Sequence, residues 1–182
     1  MQAGIMLSEK EGFMTIGVTA DTHIPGKAKV LPEIMLRHFS GVDHIIHAGD
    51  IRCAGVLEQL ARLAPVTAVA GNVDPPEFAG ELGEKKVLEL GGYRIGVTHG
   101  HGNGGTTLSR ASACFIQDHV DCIVFGHSHI PYLAEEGGVL LLNPGSPTDK
   151  RRNPYYSFGL IETGQRLCAN ILYFDASGRY IE

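Results

Sequence analysis

The chain has 182 residues, of which 43% are hydrophobic and 19% charged, so it is long enough to bury one sizeable core but short for two domains. Fifteen basic and twenty acidic side chains give a net charge of −5, which argues against a surface that wraps nucleic acid through many phosphate contacts. No apolar run is long enough for a membrane span, and residues 1–13 carry charges where a signal peptide needs an unbroken apolar stretch. We therefore expect a soluble, cytoplasmic protein.

The cysteines give no sign of a structural metal clip. They are Cys53, Cys114, Cys122 and Cys168, a spacing that matches neither a CxxC zinc motif nor a dense disulfide framework. We predict buried, reduced thiols, because free cysteine behaves as a small hydrophobic residue.

Short aliphatic runs bounded by glycine or polar residues predict buried strands in the first two thirds of the chain. These runs are Met14–Ala20, His44–Ala48, Val66–Ala70, Arg94–Thr98 and Cys122–Phe125. Apolar residues at helical spacing lie between them in three stripes, which are Val30, Ile34 and Met35; Leu57, Leu60, Ala61 and Ala64; and Leu108, Ala111 and Phe115. This alternation favours a mostly parallel sheet whose strands are joined by helices.

Other segments predict antiparallel pairing. The dipeptide Gly91–Gly92 between KKVLEL and YRIGVT is a hairpin signal. After Ile130 the chain is rich in strand patterns (LLLNPGS, YYSFGLIE and LCANILYF) and has no helical stripe. We expect two facing sheets with helices outside, in a single domain over residues 14–182, preceded by a frayed, flexible extension over residues 1–13.

Aspartate, asparagine or histidine follows each of the five predicted strands. The carboxyl ends of strands form the binding crevice of an open α/β sheet, so these side chains are expected to meet there. They are Asp21, His23, Asp50, Asn72, His99, His127 and His129. Carboxylate, amide and imidazole ligands without a thiolate suit Mn²⁺, Fe²⁺, Ni²⁺ or Zn²⁺. Seven ligands exceed the need of one ion, so the set predicts two ions, bridged by Asp50, which stands alone between the paired motifs.

Each motif alone is a weak signal. A single histidine beside a glycine is more often a hydrogen-bonded loop residue, and Asp-Gly or Asn-Gly steps are usually turns. Five such motifs after five successive strands are hard to produce as independent turns. His38, His44 and His119 have no such placement and are predicted to be helix, strand or surface residues, whereas His47, three residues before Asp50, could support a ligand from behind.

The motif order D-x-H, G-D, G-N-x-D, H-G-H and G-H-x-H resembles the calcineurin-like metallophosphoesterase superfamily, in particular its short single-domain bacterial and archaeal phosphodiesterase branch. The segment NPGS at Asn143–Ser146 is similar to a loop of that branch. The resemblance implies an α/β fold, a four-layer αββα sandwich of two mixed β-sheets flanked by helices, with a dinuclear site. It also implies two ligand sets, which are Asp21, His23, Asp50 and His129 for one ion and Asp50, Asn72, His99 and His127 for the other.

The sequence departs from the superfamily at one position. Many of its phosphatases have a histidine, thought to be the proton donor, where this chain has Val73. His101, two residues beyond His99, is our candidate general acid, and hydrogen bonding to a ligand is its alternative role; Asp74 is expected to orient a neighbouring side chain. Such a gap favours leaving groups of low pKa, for which protonation matters less. The candidate catalytic residues are therefore His101 and the bridging Asp50.

The predicted function is a dinuclear-metal-dependent phosphoesterase, acting on phosphodiesters rather than monoesters by attack of a metal-bridging hydroxide. We expect two divalent ions, with manganese first and iron, nickel or zinc as alternatives, and a small phosphate ester as the partner. Neither a membrane nor a strong nucleic-acid surface is expected, and a homo-oligomer stays open. Lys150, Arg151 and Arg152 could contact phosphate or form a solvated loop, and Thr106 or Thr107 is the predicted N-cap of a helix whose first amides could face an anion.

Three alternatives use the same site or fold. A catalytically weak or inactive metal-binding scaffold would use the fold as a eukaryotic retromer subunit does, although that relative lacks part of the histidine set. A phosphomonoesterase would share all seven ligands. A nuclease would also need a basic track or a stacking groove, and thirteen aromatic residues without tryptophan offer no evident groove.

Overall fold

A computed structural model describes residues 12–181. In this range the strands are β1 (Thr15–Thr19), β2 (His44–His47), β3 (Val66–Ala68), β4 (Lys85–Leu90), β5 (Tyr93–Thr98), β6 (Cys122–Val124), β7 (Tyr132–Glu136), β8 (Val139–Asn143), β9 (Tyr156–Glu162), β10 (Cys168–Phe174) and β11 (Tyr180–Ile181). The helices are α1 (Glu33–Phe39), α2 (Ala54–Ala61), α3 (Pro76–Leu82) and α4 (Thr107–Cys114). Most of the predicted N-terminal extension lies outside the described residues, and its last two, Gly12 and Phe13, are exposed.

The strands form two mixed sheets. The first has the order β11-β10-β9-β1-β2-β3, and the second has the order β4-β5-β6-β8-β7. In the first sheet β1, β2 and β3 are parallel; in the second β5, β6 and β8 are parallel. The predicted hairpin at Gly91–Gly92 is confirmed, since Leu90 of β4 pairs with Tyr93 of antiparallel β5. The parallel strands thus form one side of the first sheet and the centre of the second.

The two sheets pack face to face, with helices on their outer faces. Alternate residues of β1, such as Ile16 and Val18, are fully buried in a core that also contains Val97 of β5 and Val124 of β6. The residue between them, Gly17, faces α1 so closely that a Cβ there would lie 2.8 Å from the ring of Phe39. Gly96 of β5 does the same for Phe115, which follows α4, with a distance of 2.7 Å. The predicted four-layer sandwich is confirmed, and these two glycines let the aromatic rings seat on the sheets.

The sequence placed these elements correctly but not their ends. The first predicted strand, Met14–Ala20, is one residue longer at each end than β1. The third, Val66–Ala70, extends two residues beyond the end of β3. Val30 was expected on the first helix, but α1 begins at Glu33 and Val30 is exposed. Two strands, β7 and β11, and one helix, α3, carried no pattern that predicted them. The helix has no fully buried residue, so it lacks the apolar stripe by which a helix is recognised.

Burial of all four cysteines was also expected. Cys122 is buried, and burial raises the pKa of its thiol, but Cys168 is exposed. Cys53 and Cys114 are only half-buried. The prediction fails most clearly for Cys168, because this residue opens β10 opposite the exposed Glu162. All four are free thiols. Among residues 12–181, no helix has the length and apolar composition that crossing a membrane requires.

Candidate metal centre

The loops that follow β1, β2, β3, β5 and β6 converge at one edge of the sandwich. Each of these loops supplies predicted ligands, and the structure brings six of the seven together in two groups. The first group is Asp21, His23 and His129. The second group is Asp50, His99 and His127. Within each group the candidate ligand atoms lie within 4.8 Å of one another, which is the spacing that a single bound cation requires of its ligands.

The first group is buried and has an unbalanced charge. The Asp21 carboxylate is wholly inaccessible, and neither of its oxygens has a hydrogen-bond partner among the described residues. Nε2 of His129 lies 3.3 Å from Asp21 Oδ1 and 3.1 Å from Nε2 of His23. A buried carboxylate without a donor is costly, and two imidazole nitrogens that face one another compete for one proton. A divalent cation between these atoms satisfies all three, so the residues fit a metal ion.

The second group shares its carboxylate with the first. Asp50 directs Oδ1 towards Nε2 of His99, at 3.3 Å, and Oδ2 towards Nε2 of His23, at 3.6 Å. His99 donates Nδ1–H to the carbonyl oxygen of Ala48 at 2.7 Å, which leaves its buried Nε2 free to act as a ligand. One oxygen of Asp50 therefore faces each group, as a bridging carboxylate does.

Electrostatics favour an ionised Asp50 and neutral His23 and His127, whereas the pKa of His99 shifts the other way. Burial alone would raise the pKa of Asp50, but the hydrogen bond and charge of His99 and the amide of Val73 lower that pKa to about 2. Burial lowers the pKa of His23 and of His127, against the attraction of the nearby carboxylates. For His99 the opposing effect of burial is outweighed by the Asp50 hydrogen bond and the charges of Asp21 and Asp50, which raise its pKa.

The backbone of the ligand loops is unusual. Five of the six grouped residues have a positive φ, which is rare for residues other than glycine. They are Asp21 (55°), His23 (47°), Asp50 (59°), His127 (66°) and His129 (59°). Left-handed residues that recur at one place mark backbone strain held for a function, since the surrounding packing must compensate for each of them. Glycines in the motifs allow the ligand loops to pack close to one another. A Cβ on Gly126, for example, would lie 2.9 Å from Asp21 Oδ2.

A distant loop fixes the first group from behind. This loop, residues 143–149, joins β8 towards β9 and includes the NPGS segment. Ser146 donates its hydroxyl to the carbonyl oxygen of Asp21 at 2.8 Å, and Thr148 donates to that of Thr22 at 2.6 Å. The carbonyl oxygen of Asp149 accepts Nδ1–H of His129 at 2.5 Å, which directs Nε2 into the group. Only the resemblance drew attention to this loop, because nothing in its residue types indicates which distant carbonyls it meets.

Asp74 supports the second group, but not in the way the sequence predicted. It was expected to orient a neighbouring side chain, whereas its carboxylate accepts three backbone amides. These are the amides of Asp50 (3.0 Å), Arg52 (2.6 Å) and Gly71 (2.8 Å). Asp74 therefore joins the loop after β2 to the loop after β3. A short acidic side chain accepts backbone amides readily, and this general property was the only signal in the sequence.

The remaining predicted site residues lie around this edge. Asn72 is exposed in the loop after β3, between Gly71 and Val73, whose amide reaches Asp50 Oδ1 at 3.1 Å. The ring of His101 lies 5.5 Å from that of His99, and its side chain is 25% exposed. Arg151 and Arg152 are exposed, in agreement with a solvated loop. Metal binding by Asn72 and catalysis by His101 stay predictions.

Three of the four histidines outside the motifs have local partners, and the fourth, His119, is exposed, as expected of a surface residue. His47 is fully buried, with Nε2 3.1 Å from the hydroxyl of Thr22, so it packs behind the first ligand loop. His44 contacts Thr67 and His38 contacts the carbonyl of Ile34, as expected of strand and helix residues. The predicted N-cap is confirmed at Thr106, which forms a capping box with Ser109.

Comparison with known proteins gives the same picture. The profile of the calcineurin-like phosphoesterase superfamily domain matches residues 14–166. A probable metallophosphoesterase of Methanothermobacter thermautotrophicus is 36% identical over 87% of this chain and 92% of its own length. A phosphodiesterase of Methanocaldococcus jannaschii, MJ0936, is 27% identical over 72% of this chain and 83% of its own. The crystal structure of Vps29 from Entamoeba histolytica, complexed with Zn²⁺, covers 92% of this chain and 96% of its own with a TM-score of 0.78 and 27% identity.

Proposed function

We propose that this chain, which belongs to the calcineurin-like phosphoesterase superfamily, is a phosphodiesterase that depends on two divalent metal ions. The observation that carries the proposal is the position of Asp50, whose two oxygens face the two ligand groups at 3.6 and 3.3 Å. A carboxylate that faces two groups of candidate ligands at once is suited to bridge a pair of ions. When bound, the ion pair would lower the pKa of a coordinated water. It would also provide positive charge for the phosphate oxygens.

The residues of the chain have distinct tasks in this proposal. The first group and Asp50 hold one ion, and the second group with Asn72 holds the other. Nδ1–H of His99 donates to the carbonyl oxygen of Ala48, and Nδ1–H of His129 donates to that of Asp149. These bonds fix each ring so that Nε2 faces the ligand group. Asn72, exposed at the rim, offers a neutral oxygen that can contact the phosphate as well.

In this proposal His101 holds a proton beside the substrate. Its ring lies 5.5 Å from His99 and 6.3 Å from His127, close to the second group but partly open to solvent. Its Nδ1 is buried without a hydrogen-bond partner among the described residues, and its Nε2 lies 3.9 Å from Glu84. Since Val73 cannot supply a proton, we assign protonation of the leaving oxygen to His101. Protonation by His101 would matter most for diesters whose leaving groups have a high pKa.

Two further points of the proposal concern metal and substrate. Manganese is our first expectation, with iron, nickel or zinc as alternatives, because carboxylate and imidazole donors accept all four. The diester preference is supported by the relative named a phosphodiesterase. We also propose that the protein acts in the cytoplasm.

The test is hydrolysis of bis(p-nitrophenyl) phosphate beside p-nitrophenyl phosphate. Protein stripped with chelator should be inactive, and Mn²⁺ should restore turnover of the diester more than that of the monoester. Asp21→Asn should abolish the restored turnover, because the neutral amide removes the buried charge that attracts an ion. The matched control is Asp43→Asn, an exposed carboxylate that accepts the amide of Thr15 at the start of β1 and should leave turnover unchanged. Higher turnover of the monoester would replace the proposal with a phosphomonoesterase.

A metal-bearing interaction scaffold is the second candidate. The similarity to Vps29 complexed with Zn²⁺ favours it, because that structure combines the same fold with bound metal. Protein that binds two ions with full occupancy but hydrolyses neither the diester nor the monoester would support the scaffold over the enzyme.

A further inference from the structure

Arg110 is the residue of the site region that no motif predicted. It lies in α4, at a position where a charged side chain usually faces solvent, yet its guanidinium turns back over the loop that precedes the helix. This loop, Gly100–Gly105, follows the ligand His99 and carries His101. Nε of Arg110 donates to the carbonyl oxygen of Gly100 at 3.0 Å. Nη1 donates to those of Gly104 at 2.9 Å and Gly105 at 3.0 Å.

The contacts of Arg110 enclose His101 on both sides. One accepting carbonyl comes directly before His101, and the other two come three and four residues after it. The aliphatic stem lies below the centre of the loop, because a Cβ on Gly102 would meet Arg110 Cδ at 3.4 Å. Nη2 approaches the hydroxyl of Thr107 at 3.3 Å, which fixes the guanidinium to the first turn of α4.

The composition of the loop makes this support necessary. Four of its six residues are glycines, and all four have a positive φ, from 64° to 128°. Glycine loses more backbone freedom on folding than any other residue, so a loop of this kind stays ordered only if something holds it. The planar guanidinium with five N–H donors can reach three carbonyls at once, whereas a lysine ammonium is a point donor on a flexible stem.

We propose that Arg110 is a positioning residue, whose guanidinium fastens the loop Gly100–Gly105 to α4 and thereby holds His101 beside the second ligand group. The inference rests on the proposed function, in which His101 protonates the leaving oxygen. Arg110 itself acts through the loop and does not contact the reacting atoms. A displacement of about 1 Å at such a group can reduce the rate about 100-fold, so the geometry of the loop matters for turnover.

The kinetic test compares three variants on diphenyl phosphate, a diester whose phenolate is a poorer leaving group than p-nitrophenolate and depends more on protonation, with metal content measured in each. Arg110→Met should lower kcat by about 10- to 100-fold, with KM and the content of bound metal little changed. Arg110→Lys should behave like Arg110→Met, because it keeps the charge but loses the fork. The matched control is Arg94→Met, a surface arginine that also donates to a carbonyl, that of Asp118, and pairs with Glu89 far from the site. Its kcat should equal that of the native chain.

A second measurement does not depend on activity. Backbone ¹⁵N relaxation of the zinc-loaded protein should show order parameters of about 0.85 for Gly102, Gly104 and Gly105, and below about 0.6 in Arg110→Met. Arg94→Met should leave them unchanged. If the native chain hydrolyses no ester, the proposed function fails, and the relaxation data still decide whether Arg110 orders the loop. Unchanged order parameters, loss of metal in Arg110→Met, or full turnover in Arg110→Lys would each overturn the positioning role.

Discussion

The two ligand groups are alike in composition but differ in how they are supported. The first group is wholly buried and is held from residues 143–149, by hydroxyls more than a hundred positions from Asp21 and by a carbonyl 20 positions from His129. The second group includes the partly exposed His127 and is held by loops that adjoin it, through Asp74 and Arg110. Asp50 belongs to the second group and faces both.

This difference indicates a division of labour. A ligand set that is buried and fixed by distant hydrogen bonds is suited to retaining an ion. A set at the rim, next to Asn72, His101 and a glycine-rich loop, is suited to meeting a substrate and releasing a product. The following variants test whether the two groups can be disturbed separately, from the largest expected effect to the smallest.

Asp50→Asn should cause the largest loss, because it weakens a ligand of both ions. Turnover should fall more than about 100-fold, since even the outer hydrogen-bond partner of a metal ligand can cost that much. Metal analysis and titration with Mn²⁺ should show weakened binding at both groups. His129→Ala should weaken only the first, so its titration should retain one tight ion. Two ions bound tightly by Asp50→Asn would show that the carboxylate does not bridge.

Asp74→Asn should have the next largest effect and should act on the loops after β2 and β3. Its carboxylate accepts three backbone amides, and the replacement amide turns a donor towards them. We expect the free energy of unfolding to fall by about 3 kcal/mol, the order of one strong bond to a charged group. Ions should bind more weakly at the second group than at the first.

The control for this variant is Asp175→Asn. Asp175 also accepts two backbone amides, those of Ser177 and Arg179, but in a turn away from the ligands. Its replacement should leave metal titration unchanged. Equal weakening of both groups in Asp74→Asn would mean that the two are not supported separately.

Ser146→Ala should produce a smaller effect confined to the first group. The hydroxyl of Ser146 donates to the carbonyl of Asp21 and accepts the amides of Thr148 and Asp149. Its loss should lower the affinity of the first group for its ion by about tenfold. It also leaves two amides without their acceptor. Ser157→Ala is the matched control, because Ser157 is equally buried but its hydroxyl has no partner among the described residues. Titration of both variants with Mn²⁺ gives the comparison, and equal affinity in the two would contradict it.

The sequence predicted the sheets and the convergence of the ligand candidates at one edge for a simple physical reason, whereas their division into two groups came from the family resemblance. Buried parallel strands are short aliphatic runs, and the residues after them must meet at one edge, so Asp21 and His127 could be placed together without coordinates. The hydrogen bonds that support them could not be placed. Ser146 meets the carbonyl of a residue 125 positions away, and this pairing depends on the register of β8 and β9 in different sheets.

Arg110 was missed for a related reason. In a helix, an arginine outside the apolar stripe has the pattern of a solvated face, and nothing local shows that its side chain turns back. Asp74 was noticed as part of a motif, but its three acceptor contacts come from two loops that are adjacent only after folding. Backbone carbonyls and amides have no residue type, so their partners are the last feature that a sequence reveals.

His47 is expected to have the smallest effect on the ligand groups, because it acts on stability rather than turnover. Burial, with a lesser repulsion from His99, lowers its pKa to about 3 from an ordinary value of 6.5. The folded chain therefore keeps His47 neutral while the unfolded chain binds a proton below pH 6.5. Its contribution is fully present above that pH and is lost progressively as the pH falls towards 3. The free energy of unfolding should drop by about 2 kcal/mol between pH 6.5 and 5 on this account.

The measurement is chemical unfolding at several pH values in the presence of chelator, because ligand protonation would otherwise release metal and add its own pH dependence. His23 and His127, whose pKa values burial also lowers, contribute in every variant and cancel in the difference. Between pH 6.5 and 5, the free energy of unfolding should fall by about 2 kcal/mol less in His47→Leu than in the native chain. The control His38→Gln, which changes an exposed histidine, should show the same pH dependence as the native chain. If the free energy of unfolding of His47→Leu depends on pH as steeply as that of the native chain, the acid sensitivity lies in the ligand histidines and not in His47. Protonation of the ligand groups would then limit the stability of the fold in acid.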